Sequence, residues 1–177
     1  MHTNPVLEAI RTRRSIRRFT AEPVTDTEVN ALLEAGRWAP SGKNNQPWRF
    51  LVVRAGDPRQ EALAGLTAYA AIVRAAPVLL CVFLDQPSCY SPAKDQQGMG
   101  ACLQNILLAA HSLGLGAVWI GEIINQEPAV TTALGLDPSR LSLAAVLAVG
   151  RPGQKGASTR KPLAELMLEP FGGEHAG

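Results

Sequence analysis

Histidine is scarce in this chain. His2, His111 and His175 are scattered, too few for a convincing metal site, and a lone His111 on a helix reads as structural. Cysteine is nearly as rare. Cys81, Cys89 and Cys102 form no CxxC pair and no metal-ligand spacing, so neither a zinc site nor a disulfide framework is expected. The opening residues, MHTNPVLEAIRTRR, hold no apolar run, so a secretory leader is not expected. A reduced, cytoplasmic protein with buried thiols is. No stretch reaches the ~18 uninterrupted apolar residues of a membrane span, and no membrane partner is expected. Internal repeats and low-complexity tracts are also missing. Charge is sparse: 18% of the 177 residues are charged against 46% hydrophobic. That composition suits one globular domain, residues 1–177, and leaves so little polar surface that a buried subunit interface is expected.

What charge there is collects at one place. Arg11, Arg13, Arg14, Arg17 and Arg18 lie within eight residues, with Ser15 among them. Residues 1–20 carry five arginines and one glutamate, net +4, although the whole chain is only +2. Guanidinium forks suit phosphate oxygens, and a serine hydroxyl adds a short third contact. In an extended segment Arg13, Ser15 and Arg17 point to one side and converge on one phosphate. A solvated basic face and a nucleic-acid patch are the competing readings. A nucleic-acid surface recruits basic residues from several elements, often with aromatics between them; here the charge is local, so no nucleic-acid partner is expected.

Local signals outline the elements. Asn4 caps a short helix with Pro5 at its first position and Val6, Leu7 and Ile10 on one face. Thr25 and Glu28 form a capping box before Val29, Leu32 and Leu33. Phe50–Val53 reads as a strand, and Asp57-Pro58 opens one helix running to Val73. Val78–Leu84 is wholly apolar, a strand covered on both faces. Asp85–Lys94 reads as a loop, followed by the most regular helix, Met99 to Leu113. Further elements are strands at 117–120 and 143–149 and a helix over 125–134. From Gly150 onward the chain reads as an extended arm. Strand–helix alternation alone suggests a parallel doubly wound sheet. Two helices before the first strand argue against it, as does the "SLGLGA" stretch, whose glycines follow a helix instead of opening one.

A second chemical stretch spans residues 39–50, APSGKNNQPWRF. Asn44 and Gln46 offer amides that read carbonyls and ring nitrogens of a heterocycle; the plain alternative is a turn closed by Trp48. The pattern R-R-S-x-R-x-F from Arg13, combined with A-P-S-x-x-N-x-Q-P-W-x-F from Ala39, resembles the nitroreductase family of flavoproteins. Asp95, residues 104–110, Leu113–Gly116, Trp119–Gly121, Gly150–Pro152 and Arg160–Leu163 extend the resemblance over nearly the whole chain, in the family's short form.

The resemblance implies an α+β fold: a mixed, mostly antiparallel sheet wrapped by helices, in an intertwined homodimer whose C-terminal arm (about 150–177) reaches the partner. It implies non-covalent FMN, with NADH or NADPH as co-substrate and a small-molecule electron acceptor. Carried over, Arg13, Arg14, Ser15, Arg17 and Arg160 hold the phosphate and ribityl region. Pro40, Ser41, Gly42 and Asn44 come from the partner chain to the ring, and Gln46 meets the same ring system. Gly121 and Glu122 sit beside its redox-active edge. No catalytic side chain and no metal is implied. The expected activity passes hydride from NAD(P)H through flavin to nitroaromatics or quinones by ping-pong kinetics. Other flavin chemistry of the family (flavin fragmentation, reductive dehalogenation, azoline dehydrogenation) and a non-catalytic nucleotide-binding role stand as alternatives. Ser158 stands where some members place a second cation, and Thr67–Ile72 lacks the Asn or Lys that larger members use.

Overall fold

The computed structural model describes residues 4–170; His2, His175 and the end of the predicted arm lie outside them. Each early helix forms where its cap dictates. Asn4 Oδ1 accepts from the backbone N–H groups of Val6 and Leu7 and starts α1 (Pro5–Thr12). Thr25 and Glu28 complete the capping box of α2 (Asp26–Arg37). Strand β1 (Trp48–Arg54) follows, then α3 (Pro58–Ala64) and α4 (Ala70–Ala75). The single helix expected over 58–73 is thus two, parted at Gly65–Tyr69. The apolar spacing runs on through this break, so the pattern alone concealed it.

β2 (Val78–Asp85) is buried along its whole length, as its apolar run requires. Helix α5 (Pro92–Ser112) begins inside the segment expected to be loop. Pro92 reads as a breaker but sits in the first turn, where its missing N–H costs nothing. β3 (Gly116–Ile120) and β4 (Leu141–Gly150) flank a 3₁₀ turn at Glu122–Gln126 and α6 (Ala129–Ala133). The helix expected over 125–134 is divided there because Pro128 cannot donate to a continuing ladder.

The four strands run in the order β1-β2-β4-β3, all antiparallel. The sheet is thus antiparallel throughout, not mixed; one isolated parallel bridge outside its strands, Ser15 to Ala117, lays the arginine segment along the free edge of β3. The parallel doubly wound alternative is therefore excluded. Side chains alternate across β2 into two cores. Leu80, Val82 and Leu84 face Leu32 of α2 and Met99, Leu103 and Ile106 of α5. Leu79, Cys81 and Phe83 face Leu63, Val73, Ile123 and Val130. Burying each of the Val, Leu, Ile, Phe and Met side chains among these contributes roughly 1.5–3 kcal/mol. Helices on both faces of an antiparallel sheet give the α+β architecture.

Candidate functional site

The arginine segment is fixed from two sides. Ile16 N–H donates to Ala117 O at 3.0 Å on the β3 side. A Cβ on Gly116 would approach Ile16 to 2.7 Å, so the two chains touch there because residue 116 is glycine. On the other side the tail folds back: Gly153 N–H donates to Arg18 O at 2.8 Å and Thr20 N–H to Arg151 O at 3.0 Å. Gly156 lies against Arg14 and Ile16 so closely that a Cβ would overlap the Arg14 side chain. These contacts carry Arg160 round toward Arg13.

Arg13 is half-buried, and its Nε is buried with no hydrogen-bond partner. Burial first, then the charges of Arg160 and Arg14, hold its pKa below the usual arginine value. Arg14 turns back to donate to the carbonyls of Arg11 (2.6 Å) and Arg13 (2.8 Å). Ser15 is half-buried at its bridge to β3. Arg17 is exposed and lines a shallow depression with Arg18, Phe19 and the α4 residues Ala71 and Ile72. Elsewhere the arginines are paired: Arg49 and Arg140 with Asp85, Arg74 with Glu61, Arg151 with Glu22 and Glu28. Among the described residues, Arg13, Arg14, Arg17 and Arg160 have no carboxylate partner. An unpartnered buried guanidinium nitrogen among unpaired cations fits an anion such as a phosphate.

The second stretch is a strained loop before β1. Lys43, Asn44 and Gln46 all adopt positive φ (54°, 54° and 46°), a region that Asn tolerates and longer side chains avoid. Ser41 Oγ accepts from Gln46 N–H at 3.0 Å, and Ser41 O accepts from Asn44 N–H at 3.1 Å. The loop is anchored by Asn45, which the sequence pattern passed over as a variable position. Its Nδ2 donates to Asp95 Oδ1 at 2.7 Å and to Ser88 O at 2.9 Å. Asp95 is 2% exposed and also accepts the N–H groups of Tyr90 (3.0 Å) and Ser91 (2.8 Å). Burial pushes its pKa up, but donors from Ser91, Asn45 and Tyr90 outweigh burial and hold it below the usual carboxylate range. Gly98, one turn along α5, would bring a Cβ within 3.3 Å of Pro40 O, so Pro40 and Ser41 rest on that helix. Gly42 lies under the Tyr90 hydroxyl.

Gly121 directly follows β3, with Trp119 Nε1 3.1 Å from where its Cβ would stand. The Glu122 carboxylate accepts from Thr67 Oγ1 at 2.7 Å and Ala68 N–H at 3.3 Å. The 65–69 break between α3 and α4 thus serves to hold Glu122 in place. Ser158 is exposed near Arg160 in sequence and adds no charge. Cys81 and Cys102 are buried, and burial pushes both thiols up to about 12, which removes them from thiolate chemistry at neutral pH.

Within one chain the two groups stand apart. Ala117, beside Ser15, is in register with Val149, Val78 and Arg54. The 40–46 loop precedes Trp48, at the other end of the far edge strand. Six residues along and three strands across separate these corners by about 25 Å. Gly121, by contrast, lies on the same edge as Ser15, about 13 Å along it.

Comparison with known proteins decides the family. The family model for nitroreductases matches residues 10–68 and 55–151. The chain belongs to the nitroreductase family. This nitroreductase-family chain is 60% identical to a Desulfovibrio desulfuricans protein whose structure was solved as a nitroreductase in complex with FMN. The TM-score is 0.94, over 96% of this chain and 99% of that one. It is also similar to the NADPH:FMN oxidoreductase of Vibrio harveyi complexed with NAD⁺: 29% identity, TM-score 0.83, covering 97% of this chain and 79% of the other. A Methanothermobacter thermautotrophicus protein named NADH dehydrogenase/NAD(P)H nitroreductase is 43% identical over 116 residues. That match spans 66% of this chain and 60% of the archaeal protein's length.

Proposed function

We propose that this chain, an FMN-dependent NAD(P)H oxidoreductase of the nitroreductase family, seats the FMN phosphate between Arg13 and Arg160 and delivers hydride to nitroaromatic or quinone-type acceptors. The observation that carries the reading is the buried, unpartnered Arg13 Nε beside Arg14 and Arg160, none of them neutralised by a carboxylate of the described residues. A phosphate at that point satisfies the orphaned donor and relieves the mutual repulsion of the guanidiniums. Ser15 adds a hydroxyl donor. Arg17 faces the ribityl side.

FMN supplies the redox chemistry, accepting hydride from NAD(P)H and passing it on. The chain binds, orients and shields. Gly121 and Glu122, on the same edge as Ser15, present backbone N–H groups toward the ring. Glu122 is held by Thr67, so its own backbone is fixed. The amides of Asn44 and Gln46 read ring carbonyls and nitrogens from a corner one chain cannot bring to Arg13. A second copy related by a two-fold axis brings its 40–46 loop to the first chain's arginines. That geometry supports a homodimer, as do the exposed apolar faces of α1 (Val6, Leu7) and of the arm (Leu163, Leu166, Leu168). The cytoplasm, which keeps thiols reduced and supplies NAD(P)H, is the compartment that suits these cysteines. No helix among the described residues is long and apolar enough to cross a membrane.

Steady-state kinetics test the reading. Purified protein is expected to carry a flavin spectrum and to turn over a nitroaromatic or a quinone with NADH or NADPH, giving parallel double-reciprocal lines. A protein that stays colourless after FMN is added and the excess removed would overturn it. A yellow protein with slow flavin reduction and no turnover would favour the other flavin chemistries of the family.

A further inference from the structure

Beside the ring-reading loop stands an uncompensated pair of positive charges. Lys43 Nζ lies 5.0 Å and Lys94 Nζ 5.7 Å from the centroid of the same ring, that of Tyr90. Neither lysine has a carboxylate partner among the described residues. The two buried acids that hold this loop are already engaged. Asp95 is occupied by Asn45, Tyr90 and Ser91, and Asp85 by Arg49, Arg140 and Ser88. Tyr90 itself is not free to drift. Its backbone N–H is held by buried Asp95, and its hydroxyl rests on Gly42 so closely that a Cβ there would overlap it. Lys43 is held in the left-handed region by a loop anchored through Asn45. Two exposed ammonium groups therefore stand over one positioned aromatic ring, at the rim of the loop that carries Asn44 and Gln46. Cation–π attraction to Tyr90 offsets part of their repulsion and none of their charge.

We infer that Lys43, Lys94 and Tyr90 form the docking point for the anionic end of a ring-bearing substrate, a phosphate or carboxylate, while its reacting ring lies over the flavin. This rests on the proposed seat of FMN. Tyr90 supplies an apolar surface under the substrate, and the two ammonium groups close on its negative charge. A phosphate has its source in the hydride donor and a carboxylate in the acceptor; the shared chemistry is an anion tethered to a redox ring. The segment before α5 holds this point in place through the bonds of Tyr90 and Ser91 to Asp95.

The test is steady-state kinetics of the FMN-loaded protein and of Lys94→Gln and Lys43→Gln/Lys94→Gln. In one arm the donors NADH and NADPH are varied against a neutral quinone. In the other, nitrobenzene and 4-nitrobenzoate are varied at saturating donor. The double variant is expected to raise KM about tenfold for the charged substrate the site serves, from two exposed charge contacts. Its kcat, its FMN content and its KM for nitrobenzene stay within about twofold. Wild-type KM for that substrate rises with ionic strength, and the variant's is flatter. A rise confined to NADPH points to the donor's extra phosphate. A rise shared by NADH and NADPH points to the phosphates common to both, and one confined to 4-nitrobenzoate to the acceptor. Unchanged KM for every charged substrate, in a yellow enzyme that turns over, overturns this inference alone. Failure of the wild type to take up FMN overturns the inference and the proposed function together. Lys94→Gln, outside the strained loop, is expected to give a partial rise in KM; no change in it while the double variant loses FMN also counts against the site.

Discussion

Arg13 illustrates what a single residue contributes and what its sequence context hides. The clustering of arginines, and its fit to a phosphate, is legible from residues 11–18. Which of them is buried is not, because that depends on where Gly116 and Gly156 let two distant backbones approach. The structure separates the arginines by environment: Arg13 half-buried with an orphaned nitrogen, Arg14 turned onto its own backbone, Arg17 exposed. Arg13→Ala is therefore expected to weaken FMN binding by ~1.5–3 kcal/mol, the range for a hydrogen bond to a charged group. Arg17→Ala is expected to fall at or below the lower end of that range, and fluorescence titration of FMN checks both. Asp95 carries the pH prediction. Its native pKa lies below the usual value, so its stabilisation is complete above the ordinary carboxylate range and lost as pH falls through the lowered native value. Asp95→Asn is expected to cost about 1–3 kcal/mol at pH 7 by leaving donors at Asn45, Tyr90 and Ser91 short of acceptors. Thermal melts should show the gap to wild type closing as pH falls below about 4, where the carboxylate of the unfolded chain protonates, toward the lowered native value. Nothing in the spacing of Asn45 and Asp95 foretold their contact, because they lie on different elements joined only by the tertiary fold.

Among the elements, those with local causes are legible. Asn4 and Thr25 cap where a short oxygen-bearing side chain must, and β2 is buried on both faces because it has no polar position. Breaks set by tertiary demands are not legible. The α3–α4 junction opens so that Thr67 and Ala68 reach Glu122, and apolar spacing gives no sign of it. Antiparallel pairing of β2 with β4 joins segments some sixty residues apart, which local periodicity does not encode. The tail is an element in the same sense: an extended strap pinned at Arg18, Thr20 and Arg14 that delivers Arg160. Gly156→Val is expected to push the strap from Arg14 and weaken FMN binding severalfold, since the proposed seat gives Arg160 one charge-assisted contact. Its melting temperature should stay within a few degrees of wild type, because residues 157–170 are exposed and outside both cores. Paired FMN titration and calorimetry check this. Loss of stability with unchanged FMN affinity would show that the strap serves packing alone.

At the scale of the molecule, low charge in the sequence becomes exposed apolar surface in the structure. Val6 and Leu7 of α1 are about 60% exposed, Leu163 is 73% exposed and Leu168 fully so. The diagonal separation of the arginine corner from the 40–46 corner asks for the same remedy, a second chain. Sedimentation equilibrium is expected to give about twice the 18.8 kDa chain mass. A dimer that persists on dilution fits cofactor seats shared between subunits. The measurement closest to the central claim is a crystal structure with FMN bound. The account predicts the phosphate within hydrogen-bond distance of Arg13 Nε and the Arg160 guanidinium, with the ring system against the 40–46 loop of the other subunit. A phosphate bound elsewhere, with Arg13 Nε still unpartnered, would contradict it.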